Sequence, residues 1–217
     1  MNRNGNNIED RKIHWETVFK TKQPNDVSWT QEFPKTSLDL IHSFNLPKTA
    51  SIIDVGGGDS KLVDNLLSEG FENITVLDIS EESLLRVKKR LGMNANKINW
   101  IVSDATEFQP DVKYDLWHDR AAFHFLITAG QINTYLNIAK EAVKGFMIIG
   151  TFSDKGPDKC SGLDVHRYSE DELQNQLSDG FEKIKCVTED HTTPSGIKQN
   201  FLFCSFKRNV TNELTEK

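Results

Sequence analysis

Apolar positions along this chain fall into two rhythms, one of helical period and one of strand period, and the two take turns. In IEDRKIHWETVFKTK (8–22), Ile8, Ile13, Trp15, Val18 and Phe19 form a helical stripe, and Pro24 ends it. SLDLIHSF (37–44) predicts a second helix, stopped by Leu46-Pro47. SIIDV (51–55) is a β-branched run that ends in glycines, which predicts a buried strand. KLVDNLLSEGF (61–71) returns to helical spacing through Leu62, Leu66 and Leu67, with Gly70 near its end. ITVLDIS (74–80) predicts the next strand. EESLLRVKKRLG (81–92) has Ser80 as N-cap, acids in its first turn, bases in its last turn and Gly92 as its stop. Further strands are predicted at 98–105, 114–119 and 145–152, and helices at 129–143 and 169–177. Two late strands, FEKIKCVTE (181–189) and QNFLFCSFK (199–207), are separated by a short polar turn.

Strands that alternate with helices across short links predict an α/β fold, a mostly parallel sheet with helices on both faces. The late pair predicts an antiparallel hairpin at one sheet edge. Residues 1–7 and 209–217 read as loose tails, which leaves a single domain over 8–208. Ligands of such sheets bind beyond the carboxyl ends of the strands. The candidate positions are therefore 54–60, 78–80, 104–106, 118–124 and 152–168.

Composition narrows the possibilities. The chain has 217 residues, of which 37% are hydrophobic and 27% charged, so a packed core is expected. Its net charge of -6, with acids and bases interspersed, argues against a nucleic-acid partner. The N-terminal MNRNGNNIEDRK has no apolar centre, and no run approaches the ~18 apolar residues that span a bilayer. A cytoplasmic protein without a membrane partner is expected. Cys160, Cys186 and Cys204 are widely spaced, form no CxxC pair and predict free thiols and no metal site.

Gly56-Gly57-Gly58-Asp59-Ser60-Lys61 follows the first strand. A dinucleotide turn, G-x-G-x-x-G, would have a third glycine where Lys61 stands. Asp59, at the expected helix start, would repel a phosphate. The turn therefore suits a nucleoside without phosphate. Asp54, Asp78 and Asp104 close three successive strands. A carboxylate at the second of these points can take both ribose hydroxyls.

The ordered set IIDVGGGDS, LDIS, VSDATEF and YDLWHDR resembles the class I S-adenosylmethionine-dependent methyltransferase family over roughly residues 8–207, with Ser60 where that family often has a third glycine. The resemblance implies a Rossmann-like, doubly wound sheet of seven strands behind an N-terminal helical lid (8–48, ahead of a core at 49–208). It implies S-adenosylmethionine as cofactor. Asp54 and Gly56, Gly57 and Gly58 would hold the methionine end. Asp78 would hold the ribose, Ile79 would pack on adenine, and Asp104 with the Ala105 backbone would read the adenine edge. His118 would lie near the sulfonium, and Trp15 and Trp29 belong to a stretch that resembles the family's lid.

The methyl acceptor is expected beside WHDRAAFHF (117–125), where charged and aromatic residues crowd together. Asp119, His118 and His124 are the candidate catalytic groups. Arg120 would share one helical face with His124 if the segment is helical. Trp15, Arg120, Cys160, Arg167, Tyr168, His191 and Gln199 are the candidate substrate contacts. A small-molecule acceptor (thiol or chalcogen, amine or carboxylate) is the first expectation, and a protein lysine the alternative. A nicotinamide-dependent oxidoreductase or a binding-only domain fits the glycine turn less well.

Overall fold

The computed structural model describes residues 7–209. Most of the two expected tails, 1–6 and 210–217, lies outside them. The remainder of each tail is tied down: Asn7 caps the first helix through Glu9 N, and Asn209 N donates to Gly180 O.

Seven strands build the sheet: β1 (Ser51–Val55), β2 (Asn73–Asp78), β3 (Ile98–Val102), β4 (Tyr114–Arg120), β5 (Val143–Phe152), β8 (Phe181–Thr192) and β9 (Lys198–Arg208). The spatial order is β3-β2-β1-β4-β5-β9-β8. β1 to β5 run parallel, β9 is antiparallel to β5, and β8 pairs antiparallel with β9. The doubly wound sheet with an antiparallel edge hairpin is therefore as expected. The order reverses between β1 and β4, where a crevice opens at the carboxyl ends.

Both faces of the sheet are buried, which is why β1 is a continuous apolar run rather than an alternating one. Ile52, Leu116 and Ile148 pack beneath α2 (Lys35–Ser43), α3 (Leu62–Ser68) and α4 (Glu81–Leu91). Ile53, Trp117 and Met147 pack beneath α5 (Ala129–Ala142) and α6 (Glu170–Leu177). Ser80 Oγ accepts from Ser83 N, as its predicted N-cap role requires; Ser169 caps α6, and Thr128, which the sequence reading did not single out, closes a capping box with Gln131.

β5 begins two residues before its apolar run, because one extra residue bulges opposite Asp115. Gly145 makes this possible, since a Cβ there would meet Asp115 O at 2.3 Å. The loop after β5 contains a small hairpin of β6 (Lys159–Cys160) and β7 (Leu163–Asp164). Ser161 and Gly162 turn it with φ of 51° and 82°.

The cysteine expectation is corrected. Cys186 and Cys204 stand opposite each other on β8 and β9 and are joined by a disulfide. Only Cys160 is free, and it is buried. Strand register, invisible in the spacing of 18 residues, brings the pair together. Among the described residues, no helix is long and apolar enough to cross a membrane, and no cluster of His, Cys, Asp or Glu could hold a metal ion.

Candidate active site

Two cavities lie beyond the carboxyl ends of β1 to β4, with Phe19, Trp29, Gly56 and Arg120 forming walls of both. The first holds about 120 Å³, and Asp78, Ile79, Asp104 and Ala105 line it. The second holds about 50 Å³, against Asp54, Gly57, Gly58 and His118. Every residue singled out for the cofactor lines one cavity or the other.

Asp54 is buried at the end of β1. Its Oδ1 lies 2.7 Å from His118 Nδ1, and its Oδ2 is buried without a partner. The next turn is packed against these strands. A Cβ on Gly57 would lie 2.7 Å from Val76 Cγ1 and 2.8 Å from Asp54 Oδ2, and one on Gly58, whose φ is +41°, would lie 2.9 Å from Asp78 Oδ2. Gly57→Ala is accordingly expected to lower stability by about 1–3 kcal/mol through overpacking and to weaken nucleoside binding. Thermal melts and titration with S-adenosylhomocysteine check this, and unchanged values would mean that the turn has spare room.

Asp78 closes β2 and is buried. Its Oδ1 accepts the Ser80 backbone N–H at 2.8 Å. Burial pushes its carboxyl up to about 7, against the lowering effect of the Ser80, Ser83 and Gly58 hydrogen bonds. A nearly dry carboxylate with spare acceptor capacity is what a ribose diol would satisfy.

Asp104 does not present a free carboxylate. Arg11 Nε and Nη2 donate to its Oδ2 at 3.0 and 2.7 Å, while Thr106 donates through N and Oγ1 to Oδ1. The ion pair docks α1 (Ile8–Thr21) across the site. Glu16 docks the same helix by accepting from Glu81 N at 2.7 Å, and Arg86 by donating to Phe19 O and Lys22 O. Arg11, Glu16 and Arg86 were missed in the sequence, where they read as the solvated face of an amphipathic helix and of its neighbour. Asp59 is likewise not at a helix start: α3 begins at Leu62, and Asp59 is paired sideways with Arg90.

The expected catalytic cluster is dispersed. The expected strand runs one residue further, through Arg120, and no helix joins Arg120 to His124, so side chains alternate along WHDR. His118 and Asp119 face opposite sides of the sheet. His118 Nε2 lies 2.8 Å from Ser37 Oγ, so both ring nitrogens are engaged within the fold. Asp119 is fully buried away from both cavities. Its Oδ1 accepts from Ala122 N and Phe123 N at 3.1 and 3.0 Å, and its Oδ2 accepts from Tyr135 OH at 2.7 Å. Burial pushes it up to about 6. His124 sits in a short turn (Phe123–Phe125), stacked on Phe152, and burial pushes its imidazolium down to about 3, so it is neutral. It lines neither cavity.

Of the expected acceptor contacts, Trp15, Arg120 and Cys160 line the first cavity. Burial pushes the Cys160 thiol up to about 11, so it is protonated. Arg167 is exposed and donates to Asp154 O and Gly156 O, tying its own loop. Tyr168 stacks on Phe123 in the core, and burial raises its phenol. His191 Nε2 lies 2.6 Å from Ser28 O, which pins the segment after α1 to β8, while its β9 register partner Gln199 also lines neither cavity.

Trp15, Phe19, Trp29 and Phe125 close the site from above. Trp15 meets Trp29 and Phe125 edge-on at 5.7 and 5.0 Å. They stand over a crevice floored by acids and glycines.

Comparison with known proteins agrees with this geometry. A methyltransferase domain profile matches residues 52–145. The eEF1A lysine and N-terminal methyltransferase of Mus musculus is 23% identical over 116 residues, 53% of this chain and 16% of that protein. Malonyl-[acyl-carrier protein] O-methyltransferase 2 of Ilyobacter polytropus is 34% identical over 77 residues, 35% of this chain and 29% of that protein. The matched stretch thus spans less than a third of either relative. The Burkholderia thailandensis 1,6-didemethyltoxoflavin-N1-methyltransferase, solved with S-adenosylhomocysteine, superposes with a TM-score of 0.71 at 18% identity, covering 93% of this chain and 89% of that one. That likeness establishes the fold.

Proposed function

We propose that the chain, matched by a methyltransferase domain profile over residues 52–145, is a class I S-adenosylmethionine-dependent methyltransferase and that it methylates a small organic molecule by in-line displacement. The observation that carries this reading is the first cavity, small and closed over by aromatic rings while sharing its floor with the nucleoside residues.

The residues fit the cofactor. Asp78 holds the ribose diol, Ile79 packs on adenine, and the Ala105 backbone reads the adenine edge, with Asp104 locked by Arg11 rather than bonding the base. Gly56, Gly57 and Gly58 admit the methionine end, and the unpartnered Asp54 Oδ2 accepts from its ammonium. When bound, S-adenosylmethionine supplies an already activated methyl group on a sulfonium. The protein's share is to orient the acceptor and exclude water, which Trp15, Trp29 and Phe125 do. Among the described residues lining the first cavity, Asp78 is taken up by the ribose, Asp104 is paired and Cys160 is a thiol, while His118, Asp119 and His124 do not line it, so no base is left for the acceptor. An acceptor that arrives already deprotonated suits such a site.

A protein lysine or N-terminal amine is the second reading, since the mouse relative's name states such substrates. A closed, base-free cavity supports it less well.

The test begins with calorimetric titration of S-adenosylhomocysteine, with NADH as control. Binding of the former alone is expected. Incubation of cell extract with methyl-labelled S-adenosylmethionine should then place label in the small-molecule fraction. Label confined to protein would replace the acceptor reading, and binding of NADH would sink the cofactor.

A further inference from the structure

Arg120, the last residue of β4, is part of the wall of both cavities. Its Nη1 donates to Trp29 O at 2.9 Å, which fixes the plane of the guanidinium. Its guanidinium carbon lies over Phe201, 5.1 Å from the centre of that ring. The opposite edge is unused: Nε and Nη2 are sealed from solvent and have no hydrogen-bond partner. Among the described residues, no carboxylate lies within 4.0 Å of it. Glu189 and Asp54 act on it only at longer range; Glu189 Oε1 accepts from Gln31 at 3.0 Å, and its Oε2 is buried without a hydrogen-bond partner. Burial draws the guanidinium down to about 10, so it is still a cation at neutral pH.

A desolvated, unpaired cation is costly, and a ligand that brings an anion removes the cost. The Nε–Nη2 edge is a two-donor fork that matches the two oxygens of a carboxylate. We infer that the methyl acceptor is a small organic acid whose carboxylate seats on the Nε–Nη2 edge of Arg120. This rests on the methyltransferase reading above and deepens it. The surroundings agree, because Trp29, Ala122, Phe125 and Cys160 offer an apolar bed for the rest of such a molecule. A lysine ammonium would instead be driven into a buried like charge. The cofactor's own carboxylate has another cation in reach of the second cavity: Lys61 lines it, and its ion-pair partner, the exposed Glu32, is 3.9 Å away.

The experiment uses the full chain. S-adenosylhomocysteine is titrated first, and then benzoate, benzamide and benzylamine are each titrated into the saturated complex. Benzoate is expected to bind saturably, with benzamide and benzylamine weaker by about tenfold or more. In Arg120→Gln that preference disappears, while S-adenosylhomocysteine affinity stays within about threefold. Arg120→Lys, which keeps the charge but not the fork, is expected to retain part of the preference. Failure of benzoate to bind the wild-type complex, or equal binding of the three probes, overturns the inference even if neither variant folds. So does a loss of S-adenosylhomocysteine affinity in Arg120→Gln with 5′-methylthioadenosine binding unchanged, because the fork would then serve the cofactor's carboxylate. If S-adenosylhomocysteine itself does not bind the wild type, the methyltransferase reading fails before the acceptor is in question.

Discussion

Asp119→Ala is expected to destabilise the folded chain by about 3–5 kcal/mol, because three buried neutral donors lose their acceptor at about 1–3 kcal/mol each, partly offset by removing a desolvated carboxylate. Two backbone amides, Ala122 N and Phe123 N, and the Tyr135 hydroxyl lose their acceptor together. Tyr135 in turn accepts from Trp117 Nε1 at 2.8 Å, so the loss reaches the centre of the core beneath α5. In a chain of this length that corresponds to a fall of roughly 10 °C in melting temperature. Asp119→Asn keeps one oxygen for the amides but aims a donor at Tyr135, and a smaller loss of about 1–2 kcal/mol follows. Turnover per folded molecule, with the folded fraction read by circular dichroism, should stay near wild type in the asparagine variant. A stable Asp119→Asn protein that binds cofactor but does not turn over would return Asp119 to the catalytic role its neighbours in sequence suggested.

Asp78→Ala is expected to weaken S-adenosylhomocysteine binding by about tenfold or more, at least ~1.4 kcal/mol. The pH dependence identifies the cause. The free protein holds a proton on Asp78 up to about pH 7. Ribose hydroxyls donate, so they bind the ionised form, and below pH 7 binding must first remove that proton. Wild-type affinity should therefore climb by about tenfold between pH 5.5 and 8.5, while Asp78→Asn stays flat across the same window. Stability of the free protein runs the opposite way. Asp78, raised to about 7, and Asp119, raised to about 6, both bind protons more tightly folded than unfolded. Folding thus loses stability as pH rises from about 4, the unfolded value, through 6 to 7. Calorimetric titrations and melts across this range check both trends. A flat affinity profile in the wild type would remove Asp78 from the ribose.

Much of the architecture was legible in the order of residues. Period-2 and period-3.6 patterns have to bury their apolar faces, and Ser80, Ser169 and the glycines mark where elements start or stop. The floor of the crevice was equally legible, because in a parallel sheet every strand's carboxyl end meets the same edge. Asp54, Gly56, Gly57, Gly58, Asp78, Ile79 and Ala105 thereby fall together by topology alone.

Tertiary structure decided which side chains were left over for chemistry. Asp104 and Asp78 look alike at the ends of their strands, yet Arg11, 93 residues away in sequence, takes only the first. His118, Asp119 and Arg120 are consecutive. A strand separates them by face, so one is tied to Asp54 and Ser37, one holds a turn in the core, and one reaches both cavities with an unfilled edge. The cysteine pair depended on the register of β8 and β9, and the docking of α1 on an ion pair between distant segments. Local periodicity determines where a residue sits in the sheet. Its free valences depend on long-range partners, and these come into reach only when the chain has folded.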